Sequence, residues 1–259
     1  MIAAIAIALA AALLAGCSDE DGLGFKPDRP ASAVIADAAG NTLDLKPAEI
    51  VLGVRSPQGG YEASGLIEPS EGRFRVNAEG EPSLGQAASV TAVGMPEDDG
   101  PVTFREEYSQ YEGGPQRCWM GTHSPVGANR ATASVQEAVH LTVAALEEMD
   151  RDVERAHPVG EQEDERHYAV SLLPARADGA GDASFYREAS LKAHLSGPVE
   201  ATVSRQGFVT ALRFRLDDYV PVYGWEARRL DPRSGRIDAT FATTDDELDL
   251  VRPPCMGTE

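Results

Sequence analysis

The stretch VEATVSRQGFVTALRFRLDD, residues 199–218, decides the fold. It opens as a strand, turns at Arg205-Gln206-Gly207, and then sets Leu212, Phe214 and Leu216 against Arg213, Arg215 and Asp217. A period of two sends alternate side chains to opposite faces, so the segment reads as a β-hairpin with one buried face and one wet face. A strand joined to its neighbour by so short a turn must run antiparallel, because a parallel pair needs a long crossover.

The same pattern recurs on both sides. Upstream, EIVLGVR (49–55) and YEASGLIE (61–68) are joined by SPQGG, and EPSEG (68–72) turns into RFRVNAE. In that last strand Phe74, Val76 and Ala78 alternate with Arg73, Arg75 and Asn77. RHYAVSLLP (166–174) alternates Tyr168, Val170 and Leu172. Downstream, GWEARRLDPRSGRIDATFAT (224–243) predicts a second hairpin turning at 231–235, with Ile237, Ala239 and Phe241 on one face. DELDLVRPP (246–254) predicts a final edge strand ended by its two prolines. Residues 79–130, with Gly and Pro throughout, read as short strands and loops. Strands at intervals of about ten residues, joined by hairpin-length connections, imply an antiparallel sheet.

Helices interrupt it. SVQEAVHLTVAALEEMDRDVERAHP (134–158) carries Val135, Val139, Val143, Leu146, Met149 and Val153 at three- and four-residue steps. That is one apolar stripe on a helix of about six turns, widened by Ala138, Leu141 and Ala145. Ser134 and Glu137 form a capping box that predicts its start, and Pro158 its end. ASAVIADAAG (31–40) predicts two or three turns closed by Gly40, and SFYREASLKAHL (184–195) a short helix.

The N-terminus says where the domain works. Residues 1–15, MIAAIAIALAAALLA, are wholly apolar. As a helix they would rise about 22 Å, short of the roughly 30 Å hydrocarbon core of a bilayer. The length suits the apolar core of a signal peptide, although no Lys or Arg precedes it. Leu14-Ala15-Gly16-Cys17 resembles the lipobox of bacterial lipoproteins, which implies acylation of Cys17 and its exposure as a new N-terminus. Residues 1–16 are therefore read as a lipoprotein signal peptide, 17–30 as an acidic tether and 31–259 as a single domain. The protein is expected outside the cytoplasm, lipid-anchored to the outer face of the cell membrane. Several acyl chains, at about 0.8 kcal/mol per buried methylene, would hold it there.

Composition narrows the function. A net charge of −19, with 42% hydrophobic and 25% charged residues, describes a globular acidic chain. It argues against nucleic acid and against direct adhesion to anionic headgroups. Beyond Cys17 stand Cys118 and Cys255, which in an oxidising compartment predict one disulfide, worth up to about 5 kcal/mol for so long a loop. There is no G-x-S-x-G elbow, no H-E-x-x-H and no phosphate-binding glycine loop. The five histidines, 123, 140, 157, 167 and 194, are scattered. The acidic runs 97–99, 161–165 and 245–247 lack the alternating ligand spacing of a calcium loop. No catalytic residue, metal or cofactor is expected, and the chain is read as a non-enzyme.

Three stretches, SGLIEPSEGRFRVNAEG, the long helix running into HPVGEQEDERHYAVSLLP, and LSGPVEATVSRQGFVTALRFRL, follow one another in an order that resembles the LppX/LprAFG-type lipoproteins of actinobacteria, whose fold is similar to LolA. Coverage runs from about 31 to 254, but Arg205 stands in a turn where that family usually has Asp. The Cys118/Cys255 pair has no counterpart in that pattern. The resemblance implies an α+β fold: a curved antiparallel sheet, or half-barrel, covered on its concave face by a long amphipathic helix and one or two shorter ones. It implies an apolar cavity for acyl chains. The expected walls are Ile50, Leu52, Phe74, Val76, Val170, Leu172, Leu212 and Phe214, with Val135, Val139, Val143, Leu146, Met149 and Val153 on the lid. The expected partner is an acyl-chain lipid or lipoglycan, carried or sensed without covalent chemistry. The alternative is a lipid-anchored interaction or sensor domain with a solid core, acting on a partner such as a membrane protein.

Overall fold

The computed structural model describes residues 29–56, 59–79, 89–95, 102–108, 117–122, 130–162, 164–173, 195–217 and 235–250. In chain order they form helix α1 (Ala31–Leu43), strands β1 (Ala48–Ser56) and β2 (Gly59–Glu68), a 3₁₀ turn at Pro69–Glu71, and strands β3 (Arg73–Glu79), β4 (Ser89–Met95), β5 (Val102–Tyr108) and β6 (Arg117–Thr122). Helix α2 (Arg130–Arg151) follows, then β7 (Val153–Gln162), β8 (Glu165–Leu172), β9 (Val199–Ser204), β10 (Val209–Leu216) and β11 (Gly235–Thr243).

All eleven strands join one antiparallel sheet in the order β6-β5-β4-β3-β2-β1-β11-β10-β9-β8-β7. Two meanders, one from each half of the chain, meet at the β1–β11 ladder, which pairs Ala48 with Thr243 and runs to Arg55 opposite Arg236. The expected half-barrel is thereby corrected. The sheet is neither curled nor closed into a barrel: β6 and β7 stand at opposite edges. Closure requires the terminal strands to meet and pair. The β7 edge is ill suited to it, because Pro158 supplies no N–H and the ladder to β8 shifts register at Val153/Arg155 and again at Pro158/Gly160.

One face of the sheet is apolar across its centre. Its middle row reads Ala78, Ala63, Leu52, Ala239, Leu212, Ala201 and Tyr168 across β3, β2, β1, β11, β10, β9 and β8. Every one of these is 3% exposed or less. At Gly65 on β2 the chains approach so closely that a Cβ would lie 2.0 Å from the Arg75 carbonyl oxygen, so only glycine fits. The ring of Phe74 lies over Gly94 of β4 in the same way.

The two helices cover this face. Helix α2 touches β4, β1, β11, β8 and β7, so it runs across the strands. From β4 to β8 is seven strand spacings, about 34 Å, and 22 helical residues rise about 33 Å. The helix begins at Arg130, upstream of the capping box read at Ser134 and Glu137, and it ends at Arg151. Pro158 does not stop it; the last residues of the predicted helix, from Val153, form β7 instead. Val153 carried the stripe's period, but pairing with Leu172 on β8 fixed it in the sheet.

Helix α1 packs beside α2 and over β7 and β10, burying Val34, Ile35, Ala38, Ala39 and Thr42. It continues past Gly40 to Leu43. Its C-terminal turn is fastened to the β9–β10 hairpin: the Val209 amide donates to Thr42 Oγ1 at 2.8 Å, and Asn41 Nδ2 donates to the Gly207 carbonyl at 3.0 Å. Gly207, at φ 84°, supplies the left-handed residue of that turn.

Other expectations end differently. Residues 244–250 do not form the final strand read at 246–254, and 251–254 lie outside the described residues. The helix read at 184–195 falls outside them too, except for Leu195, which makes an isolated bridge to Leu216. The Cys118–Cys255 disulfide is corrected as well. Cys118 lies in β6 opposite Glu107, Cys255 lies outside the described residues, and no disulfide forms among those described.

Candidate functional site

The residues read as cavity walls and lid do come together. Ile50, Leu52, Phe74, Val76, Val170, Leu212 and Phe214 on the sheet and Val135, Val139, Val143, Leu146 and Met149 on α2 are each exposed by 2% or less and belong to one apolar cluster. Val153 and Leu172, partly buried, pack against its margin from β7 and β8. Their placement follows from two periods: strand alternation aims the sheet residues inward, and the three–four repeat of α2 aims its stripe at them. The sequence reading missed the share of α1, whose Val34/Ile35, Ala38/Ala39 and Thr42 recur at the same helical steps.

Few polar groups enter this interface. Thr142 on α2 is fully buried and donates to the Ala138 carbonyl at 2.7 Å, as Thr42 on α1 does to Ala38 at 2.8 Å. Both hydroxyls are thus satisfied within their own helices. Glu148 on α2 is 1% exposed, the one buried acidic residue among the described residues. His140 on α2 sets its ring edge-to-face against Phe74, with centroids 6.0 Å apart, and so acts as packing. His157 is exposed on β7, and His123 and His194 lie outside the described residues.

The opposite face of the sheet is polar and holds a groove of about 420 Å³ above β7 to β11. Its lining includes Gly160, His167, Thr202, Glu200, Arg213 and Asp238. His167 Nδ1 and Thr202 Oγ1 are 2.9 Å apart. Arg213 donates to Asp238 at 2.5 Å and to Glu200 at 3.2 Å, and Asp238 takes Arg236 with its other oxygen at 2.8 Å. The hydrogen bond to Asp238 is the main reason the Arg213 guanidinium is held more firmly in its charged form. The outward half of each alternating strand is the signal for this groove, although alternation alone marks it only as a wet face.

Among the described residues no group of three side chains is placed to hold a metal ion. Asp245, Asp246 and Glu247 follow β11 in residues without regular structure, and residues 97–99 lie outside the described set. No described helix is long and apolar enough to cross a membrane. Residues 1–28, including Cys17, lie outside that description.

These features define a class: an α+β domain of one open antiparallel sheet, with two helices on its apolar face and a polar groove on the other. No protein-family model matches the chain, and no curated protein matches it significantly. Among solved structures, the crystal structure of LprF from Mycobacterium bovis is a distant match in fold, not a sign of family membership. The two share 11% identity over 88% of this chain and 97% of that one, with a TM-score of 0.37.

Proposed function

We propose that the protein is a lipid-anchored extracytoplasmic module that binds the acyl chains of a lipid or lipoglycan between α2 and the sheet, without covalent chemistry. The observation that carries this reading is the inner face itself. It is apolar from β4 to β9, and four of the seven side chains in its middle row are alanine. Side chains that end at Cβ keep this row low on either side of Leu52 and Leu212, beneath the stripe of α2. A hydrocarbon tail entering there would exchange one apolar neighbour for another along the alanines and leucines of that row. Each methylene taken from water contributes about 0.8 kcal/mol, so a tail of ordinary length offsets the displacement of several helix side chains. The lipobox-like Leu14-Ala15-Gly16-Cys17 supports the same setting, since an anchored carrier stays beside the bilayer that supplies its ligand.

The test is direct. Protein with Cys17→Ser, purified without detergent, is extracted into organic solvent and the extract weighed against protein by mass spectrometry. A fluorescent fatty acid is then titrated into the delipidated sample. Stoichiometric lipid, or saturable binding of the fluorescent chain, upholds the reading. If neither is found, the interior is a solid core and the module acts through surface contacts.

A further inference from the structure

The outer face carries an arrangement that the acyl-binding reading leaves unused. Register places Arg55 on β1 directly opposite Arg236 on β11, and Arg236 directly opposite Arg215 on β10. Directly paired residues in an antiparallel ladder point to the same face. Their inward neighbours Val54, Ile237, Phe214 and Leu216 are buried, so all three arginines face outward. Three guanidinium side chains therefore rise from adjacent strands, with backbones about 5 Å apart.

Like charges set directly opposite one another destabilise a sheet. The described residues offset this row only in part. Arg55 meets Glu62 at 3.3 Å, with both side chains more than 60% exposed. Arg236 binds Asp238 through Nε alone, and that carboxylate is shared with Arg213. Arg215 has no ion pair among the described residues. All this occurs in a chain with 42 acidic and 23 basic residues, where carboxylates to neutralise the row are plentiful. A row of partly uncompensated arginines in such a chain calls for an anion from outside.

We propose that Arg215, Arg236 and Arg55 form a phosphate-binding site on the outer face of the sheet. Guanidinium forks match phosphate oxygens in pairs, and three on one row can hold a single phosphate from several sides. The groove starts in the adjacent row, where Glu200, Arg213 and Asp238 are paired side by side, with Thr202 and Thr240 beyond. Carboxylates and hydroxyls there accept and donate to sugar or glycerol hydroxyls, so the phosphate belongs to a polyol phosphate. Two sources share that chemistry: a lipid headgroup and a free sugar phosphate.

The experiment titrates the full chain, by isothermal calorimetry at low ionic strength, with three soluble probes: inorganic phosphate, a hexose phosphate and glycerophosphoglycerol, a deacylated headgroup. None has an acyl chain, so failure of the inner-face reading would leave the result intact. Binding of hexose phosphate above the others assigns a free sugar phosphate; preference for glycerophosphoglycerol assigns a headgroup. Arg215→Thr is expected to weaken the preferred probe on the order of tenfold, the size of one exposed charge-assisted hydrogen bond. Added salt should weaken wild-type binding as well. Removing a like charge from the row should leave thermal stability equal to wild type or higher, which separates lost binding from lost folding. The proposal is overturned if no probe binds, or if Arg215→Thr and Arg215→Thr/Arg236→Thr bind as wild type does.

Discussion

Thr42→Val removes one hydroxyl from the point where α1 is fastened to the sheet. In wild type, Thr42 Oγ1 accepts from the Val209 amide at 2.8 Å and donates to the Ala38 carbonyl at 2.8 Å, at a residue with no exposed surface. The Ala38 carbonyl still accepts the helical bond after the substitution, so its loss is small. Val209 is 1% exposed, and its amide is left buried without an acceptor. A stranded buried donor costs about 1–3 kcal/mol. Valine matches threonine in shape, so no cavity adds to this, and the expected loss is about 2 kcal/mol, or roughly 4–8 °C in Tm for a domain of this size. Thr42→Ser keeps the hydroxyl and removes a methyl group, for about 1 kcal/mol. The order in thermal and denaturant unfolding is thus wild type, then Ser, then Val. A Thr42→Val protein within about 0.5 kcal/mol of wild type, or more stable than Thr42→Ser, would refute the hydrogen bond as the fastening of α1.

Further outcomes follow from single contacts. Asn41→Ala, which removes the bond to the Gly207 carbonyl, should lose about 1 kcal/mol, and a double-mutant cycle with Thr42→Val should show coupling because both hold the same turn. Gly65→Ala sets a methyl 2.0 Å from the Arg75 carbonyl oxygen and should destabilise by about 3 kcal/mol, read as a lowered denaturation midpoint. Leu146→Ala opens a cavity beneath α2 and should lose about 2–5 kcal/mol; if the inner face takes acyl chains, fluorescent fatty acid binding should change with it. Glu71 is held below the usual carboxylate range by hydrogen bonds from Lys46 and then Arg73, and Lys46 is raised above its ordinary value by the same pair. The contribution of the lowered Glu71 is present above its unfolded pKa and fades as pH falls through the folded one. That of the raised Lys46 is full below its unfolded pKa and fades as pH rises through the folded one. The Lys46–Glu71 pair therefore weakens at both acid and strongly alkaline pH, and NMR titration of Glu71 in a Lys46→Met protein should show its carboxyl returning upward.

Legibility differed from element to element. The inward rows of β3, β8 and β10 could be read from Phe74, Tyr168 and Phe214 because strand alternation is local. The stripe of α2 could be read from Val135 to Met149 for the same reason. Val153 fits both a helical and a strand pattern, and only its pairing with Leu172 assigned it to β7. Gly40 resembled a helix stop, yet Thr42 beyond it was held in the helix by the β9–β10 turn. On the outer face, Arg55, Arg215 and Arg236 are far apart in the chain and unremarkable singly; a row exists only once the register is set.

The sequence by itself determined the alternation that makes strands, the hairpin connections that make them antiparallel, and the apolar stripe that lays α2 on a greasy surface. These are properties of neighbours along the chain, enforced by backbone periodicity. Tertiary structure alone decided that β1 pairs with β11, that the sheet stays open between β6 and β7, and where α2 ends. Those outcomes depend on hydrogen bonds and packing between segments distant in sequence, where the gain from pairing two strands outweighs the preference of either one alone.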